Sequence, residues 1–245
     1  MIDLHSHILP GLDDGAQGPE ESLHMAALAV DSGVSHMVAT PHCREGGAHR
    51  VREALTYTRQ LLQQSGIPLK LYSGMEIFGS WETARLLQEG KLLTLNHSRY
   101  PLIEFEFVSD GVPETEILRS VLRAGYRPLV AHPERYVYVQ QNPELVDQWV
   151  RMGCMLQINK GSLTGRFGSA PRAMALEMVD RGLATVVSSD AHSPHARTPW
   201  MYDAWDLIAR HISPIAAEQL LLENPRKILN NENLPALEPD WFSQE

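Results

Sequence analysis

Residues 113–135 read PETEILRSVLRAGYRPLVAHPER. The stretch opens with Pro-Glu, carries Ile117, Leu118, Val121 and Leu122 at helical spacing, and stops at Gly125. Proline at the first helical position gives up an N–H that has no partner there anyway. Glutamate in the first turn faces the positive end of the helix dipole, and glycine just past the end takes the left-handed conformation that stops a helix. A short apolar run, RPLVA (127–131), follows and breaks off at His132, Glu134 and Arg135. The pattern is a helix packed on a sheet, then a buried strand with ionisable residues at its carboxyl end.

The same unit recurs. PEESLHMAALAVDSG and PELVDQWVRMG also open on Pro-Glu and close on Gly, and APRAMALEMVDRG follows the plan without the acid. Strands are expected at 1–5, 36–40, 69–75, 102–107, 127–131, 155–159 and 185–189. Helices are expected near 19–32, 48–65, 80–89, 113–124, 143–152, 170–181, 199–212 and 214–223. Alternation of this kind specifies a parallel α/β protein. About seven units without a nucleotide-binding glycine fingerprint point to a closed or nearly closed barrel. A doubly wound open sheet is the alternative. No linker divides the chain, so one domain over 1–233 is expected, with LPALEPDWFSQE (234–245) as an irregular acidic tail.

The strand ends share a chemistry. They carry His5 and His7, His42, Glu76, Glu104 and Glu106, His132 with Glu134 and Arg135, and Asp190 with His192. In a parallel barrel these ends gather at one mouth. Taken singly, each has a plain structural reading: a core histidine pair, a helix cap at Asp190, a solvated acid at Glu106. Together they fit a multinuclear site for divalent metals such as zinc, iron or manganese. Strand alternation places His5 and His7 on one side, and Glu104 with Glu106 opposite Ile103, Phe105 and Phe107. Carboxylates crowded without cations would be costly, and metals offset that cost. His24, His36 and His211 read as structural or exposed, while His49, His97, His195 and Lys160 stay open.

Bulk numbers narrow the field. A net charge of −9 over 245 residues argues against nucleic-acid binding, which needs a basic face. The chain starts MIDLHSH, without a basic, apolar leader, and no apolar run is long enough to span a bilayer. With two cysteines in no metal-ligand spacing, a cytoplasmic protein with reduced thiols is expected. TPHCREGGAHR (40–50) looks like a cysteine-phosphatase loop. That signature needs arginine six positions after cysteine, and His49 stands there; Arg50 is one too late. Cys43 is therefore expected to be a bystander and His42 the functional neighbour.

DLHSHILPGLDDG, GMEI, SRYPLIEF, VAHPERY, MGCMLQIN, VVSSDAH and NPRKIL together resemble the PHP (polymerase and histidinol phosphatase) superfamily. The pattern looks like one branch in particular, the bacterial manganese-dependent protein-tyrosine phosphatases encoded with capsule and exopolysaccharide genes. The resemblance implies a distorted (β/α)7 TIM-like barrel around three divalent metals, Mn2+ foremost. It implies that His5, His7, Glu76 and Asp190 hold one metal, and that Glu76 bridges to a second held by Glu104 and His132. Asp14, His42 and His192 would hold the third, and Arg135 and Arg197 would bind phosphate. The implied reaction is hydrolysis of phosphotyrosine by metal-activated water. The implied substrate is the tail of a bacterial tyrosine autokinase that controls polysaccharide export. A PHP phosphoesterase for a small phosphate such as histidinol phosphate, a non-catalytic metal-binding module, and an amidohydrolase with the same H-x-H element are the rival readings.

Overall fold

The computed structural model describes residues 1–42 and 47–234. Cys43 and the tail from 235 onward lie outside the described residues, so the expectations for them concern the sequence alone. Among the described residues every strand pairing is parallel. One sheet runs β1 (Ile2–Ser6), β2 (His36–Ala39), β3 (Lys70–Ser73); the other runs β4 (Glu76–Phe78), β5 (Leu102–Glu104), β6 (Leu129–Ala131), β7 (Met155–Asn159), β8 (Val186–Ser188).

The expected third strand, 69–75, is two pieces. It breaks after Ser73, and β3 pairs with β2 whereas β4 pairs with β5. The break is one seam of the barrel. Glu76 donates its backbone N–H to Thr40 O at 3.2 Å there, and His42 bridges to Glu76. The other seam joins β1 to the end of β8, where Asp190 N–H reaches His5 O at 2.9 Å and His7 N–H reaches Ala191 O at 2.8 Å. Seven βα units thus close on themselves with a split third strand. This is the distorted (β/α)7 barrel, not the open sheet.

The helices are α1 (Pro19–Asp31), α2 (Ala48–Gln64), α3 (Thr83–Gln88), α4 (Val112–Arg123), α5 (Val137–Gln141), α6 (Glu144–Met152), α7 (Lys160–Leu163), α8 (Ser169–Asp180), α9 (Tyr202–His211), α10 (Pro214–Glu218) and α11 (Asn224–Leu229). The short α5, α7 and α11 have no counterpart among the expected helices. The Pro-Glu…Gly pattern does what its chemistry requires. Helix α4 buries Ile117, Leu118 and Val121, and Gly125 follows at φ 91°. Helix α6 ends on Gly153 at φ 100°, which only glycine adopts cheaply.

Two apolar clusters hold these layers. The larger joins the outward strand residues Met37, Ile103, Val130, Ile158 and Val187 to helix residues such as Val121, Trp149 and Met178. The smaller collects Leu4, Val38, Leu102, Leu129 and Val186 from five strands, so it fills the barrel interior. Ile228 and Leu229 of α11 join it and plug one end. The NPRKIL segment is thus a structural stopper, fixed further by Asn224 Nδ2 donating to Thr185 O at 2.8 Å. The opposite end stays polar.

Candidate metal centre

His5 and His7 leave β1 with their Nε2 atoms 3.2 Å apart. Each Nε2 also faces Glu76 Oε2, at 3.1 and 3.2 Å, and Asp190 Oδ1, at 3.4 and 3.5 Å. All four side chains are buried. Their partners on the other side set their orientation. His5 Nδ1 donates to Gln157 Oε1 at 2.9 Å, and His7 Nδ1 donates to Asp13 Oδ2 at 2.7 Å. These oxygens only accept, so the proton sits on Nδ1 and the Nε2 lone pair points into the cluster. His192 is set likewise, with Nδ1 3.0 Å from Asp190 O.

Three groups of ligand-type atoms result, each with its atoms within 4.8 Å of one another: His5, His7, Glu76, Asp190; His7, Asp14, His42, His192; and His42, Glu76, Glu104. His132 Nε2 lies 2.9 Å from Glu76 Oε1 and 3.6 Å from Glu104 Oε1. All nine residues that the sequence points to therefore converge on one mouth. The grouping differs in two respects from the implied set: His42, not His132, completes the tight group with Glu76 and Glu104, and His7 joins Asp14, His42 and His192. Glu106 stands apart. Strand β5 ends at Glu104, so the alternation does not extend to 106, and that side chain is exposed. His24, His36, His49, His97, His195 and His211 stay outside the three groups.

The donor set suits cations. Asp190 Oδ1 is buried without a hydrogen-bond partner, and two imidazole lone pairs face each other beside it. Burial, and then the neighbouring Glu76 charge, push the Glu104 carboxyl up to about 8. Burial opposes charge on Asp190 too, and without cations only protonation of His5 and His7 would offset it and hold that carboxyl below the usual range. One acid that keeps its proton near neutrality beside acceptors that lack donors is the signature of missing positive charge. Nitrogen and oxygen donors of this kind match divalent zinc, iron or manganese.

The backbone is bent to make the site. His132 and Asp190, each just past a strand end, adopt left-handed conformations with φ 33° and 50°. Such conformations cost of order 1–3 kcal/mol for a side chain other than glycine and persist where surroundings overdetermine them. Tyr136 supplies one such restraint: its buried hydroxyl donates to Ala131 O at 2.7 Å and accepts from Phe105 N–H at 3.0 Å, tying β5 to β6.

Both expected arginines reach the mouth. Arg135 Nη1 donates to Asp190 Oδ2 at 3.3 Å, and Arg197 Nη2 donates to the same oxygen. Asn159 Nδ2 donates there too, at 2.5 Å. Lys160 lines the same cavity as Asn159, Phe167 and Arg197, but its ammonium is taken up by backbone. It is buried and its Nζ donates to Thr198 O at 2.8 Å and Trp200 O at 2.7 Å, just beyond Arg197. Sequence reasoning missed Asp13, Gln157, Asn159 and Glu134 as supports. Glu134 is buried, burial pushes it up to about 7, and its Oε1 accepts from Asn159 N–H and Ser162 Oγ. The HPER segment carried a signal for Glu134, but nothing local marks Gln157, which meets His5 across 152 residues.

Fold and site define a parallel barrel protein equipped to hold divalent metals at the carboxyl-terminal mouth. Residues 1–230 match the family model for capsular polysaccharide synthesis, CpsB/CapC, and the chain belongs to that family. The tyrosine-protein phosphatase YwqE of Bacillus subtilis (strain 168) is 36% identical over 240 residues, covering 96% of this chain and 93% of that protein. The tyrosine-protein phosphatase CpsB of Streptococcus pneumoniae is 33% identical over 241 residues, covering 95% and 99%. A crystal structure from work on YwqE and CpsB as metal-dependent tyrosine phosphatases matches with a TM-score of 0.92 and 34% identity over 98% of both chains. A Listeria monocytogenes lactonase, Lmo2620, shares only the fold, at a TM-score of 0.57 and 15% identity. Among the described residues no helix is long and apolar enough to cross a membrane.

Proposed function

We propose that this protein is a metal-dependent protein-tyrosine phosphatase. Its domain spans residues 1–233, and its substrate is the phosphotyrosine-bearing tail of a bacterial tyrosine autokinase that governs capsule or exopolysaccharide synthesis in the cytoplasm. The observation that carries this reading is the double use of Asp190. One of its oxygens faces the buried imidazoles and the other holds two arginines. A metal-ligand cluster and a pair of phosphate-binding forks are thereby joined at one carboxylate.

Three ions, Mn2+ foremost, would be held by His5, His7, Glu76 and Asp190; by Glu76, Glu104 and His132; and by Asp14, His42 and His192. Bound divalent ions supply Lewis-acid charge and lower the pKa of water. The chain's own residues do the rest. Arg135 and Arg197 take phosphoryl oxygens through their planar forks. Arg197 Nε is buried without an acceptor, so it has an N–H to offer. Asn159 keeps Asp190 turned between the two halves of the site. Phenolate is a good leaving group and needs little help from an acid.

The test is an activity panel on the metal-loaded protein with Mn2+, Fe2+ or Zn2+. Phosphotyrosine peptides are compared with phosphoserine peptides and histidinol phosphate. Preference for phosphotyrosine, lost with a chelator and restored by metal, is expected. Preference for histidinol phosphate would overturn the substrate assignment, and full activity in chelator would overturn the metal.

A further inference from the structure

The two arginines share a neighbour that the proposed reaction leaves unused. Arg135 Cζ lies 4.2 Å from the centroid of the Phe167 ring and 4.8 Å from that of Phe107. Arg197 Cζ lies 5.9 Å from the same Phe167 ring. Phe107 has other employment, since it stacks on His132 at 5.9 Å and packs against the larger apolar cluster. Phe167 has none. It belongs to neither apolar cluster and stays half-buried.

The chain holds it there deliberately. Phe167 lies in a short turn after α7, where Arg166 N–H reaches Gly161 O at 2.8 Å and Gly165 N–H reaches Ser162 O at 3.0 Å. The ring packs onto Gly161 so closely that a Cβ on that residue would come within 2.6 Å of Phe167 Cε2. The bare glycine is the seat of the ring. An aromatic face attracts guanidinium charge, and two guanidiniums that converge on one carboxylate oxygen repel each other. A shared ring eases that repulsion. It also limits the rotamers of two long side chains that would otherwise have to be ordered when the phosphate arrives.

We propose that Phe167 is a positioning residue whose ring, seated on Gly161, presets Arg135 and Arg197 to grip a single phosphoryl group. This rests on the reading that the two arginines bind phosphate. The metal-loaded full chain is examined as wild type, Phe167→Leu, Phe167→Trp, Gly161→Ala, Arg135→Ala and Arg197→Ala. Inorganic phosphate binding is measured by calorimetry, and KM and kcat are measured on a phosphotyrosine peptide. Phe167→Leu and Gly161→Ala should each weaken phosphate binding and raise KM by roughly three- to tenfold, with kcat changed less. Phe167→Trp keeps an aromatic face and should stay within about twofold of wild type. Gly161→Ala touches neither arginine, but its Cβ would also come within 3.2 Å of Asn159 Oδ1, so it is read as a report on the ring's seat only with metal content equal to wild type, which shows Asp190 still in place, and it serves if Phe167→Leu does not fold. Wild-type phosphate affinity in Phe167→Leu and Gly161→Ala, with weakened binding in the arginine variants, would sink this inference and leave the arginine reading standing. Equal loss in Phe167→Trp and Phe167→Leu would also overturn it. Unchanged affinity in both arginine variants would instead bring down the reading beneath it.

Discussion

Arg135 and Arg197, 62 positions apart in the chain, donate to the same oxygen of Asp190. The other oxygen of that carboxylate faces His5 and His7. Asp190 therefore couples two functions, and substitutions on its two sides should separate them. Arg135→Lys and Arg197→Lys keep the charge but lose the planar fork. Each should lower kcat/KM by about tenfold or more while leaving metal content unchanged. Asp190→Asn should lose metal as well as activity. Steady-state kinetics beside elemental analysis of the same samples separates these outcomes, and metal loss in the arginine variants would break the division.

Gly15 is the tightest contact under the site. A Cβ there would lie 2.1 Å from His7 O and 2.4 Å from His7 Cβ. His7 cannot retreat easily, because its N–H is bonded to Ala191 O at 2.8 Å and its O accepts from Ala16 N–H at 3.0 Å. Gly15→Ala should therefore displace His7, weaken metal binding and destabilise the fold by about 1–3 kcal/mol, the usual cost of overpacking. Thermal melting with and without Mn2+ reads both effects, and a smaller metal-induced rise in Tm than in wild type is expected.

Lys160 offers a separate handle on Arg197. Its buried ammonium satisfies Thr198 O and Trp200 O, and burial pulls its pKa down. Lys160→Met fills similar space but leaves two carbonyls without their donor, at a cost of about 1–3 kcal/mol. The loop that carries Arg197 should loosen, so KM for a phosphotyrosine peptide should rise more than kcat falls. A variant with lowered Tm and unchanged KM would show that Lys160 stabilises the fold without steering the arginine.

Much of this was legible in the chain because strand ends are short and their chemistry is local. DLHSH, TPH, SGME, LIEF, VAHPER and SSDAH each announce a buried run followed by ligand-type residues, and all reach the mouth. What stayed hidden depends on distant partners or on backbone bends. LKLYSGMEIF reads as a single apolar run, yet its two halves pair with different neighbours. Alternation alone puts Glu106 on the same side as Glu104, and only the resemblance in LIEF chooses Glu104; the strand ends between them. Asp13 and Asp14 are adjacent and chemically identical, but Asp13 orients His7 whereas Asp14 stands near His42 and His192. Lys160 could be recognised as a cation near the mouth, while its carbonyl partners lie about forty residues away.

His42 and Cys43 are neighbours with opposite expected importance. His42 Nδ1 lies 3.3 Å from Glu76 Oε2 and 3.6 Å from Glu104 Oε2. Its backbone N–H donates to Asp13 Oδ2 at 2.8 Å, the same oxygen that orients His7. His42→Ala removes an imidazole shared by two of the three ligand groups. It should abolish most activity and lower metal occupancy. Cys43 carries none of the sequence context of a thiol nucleophile, because His49 occupies the position that such a loop gives to arginine. Cys43→Ser should therefore retain most activity, with the same metal dependence as wild type. Alkylation of the wild-type protein should leave activity intact as well, since the buried Cys154 thiol is pushed up to about 12 by burial and reacts slowly. Loss of activity in Cys43→Ser together with its survival in His42→Ala would replace the metal centre with a thiolate mechanism.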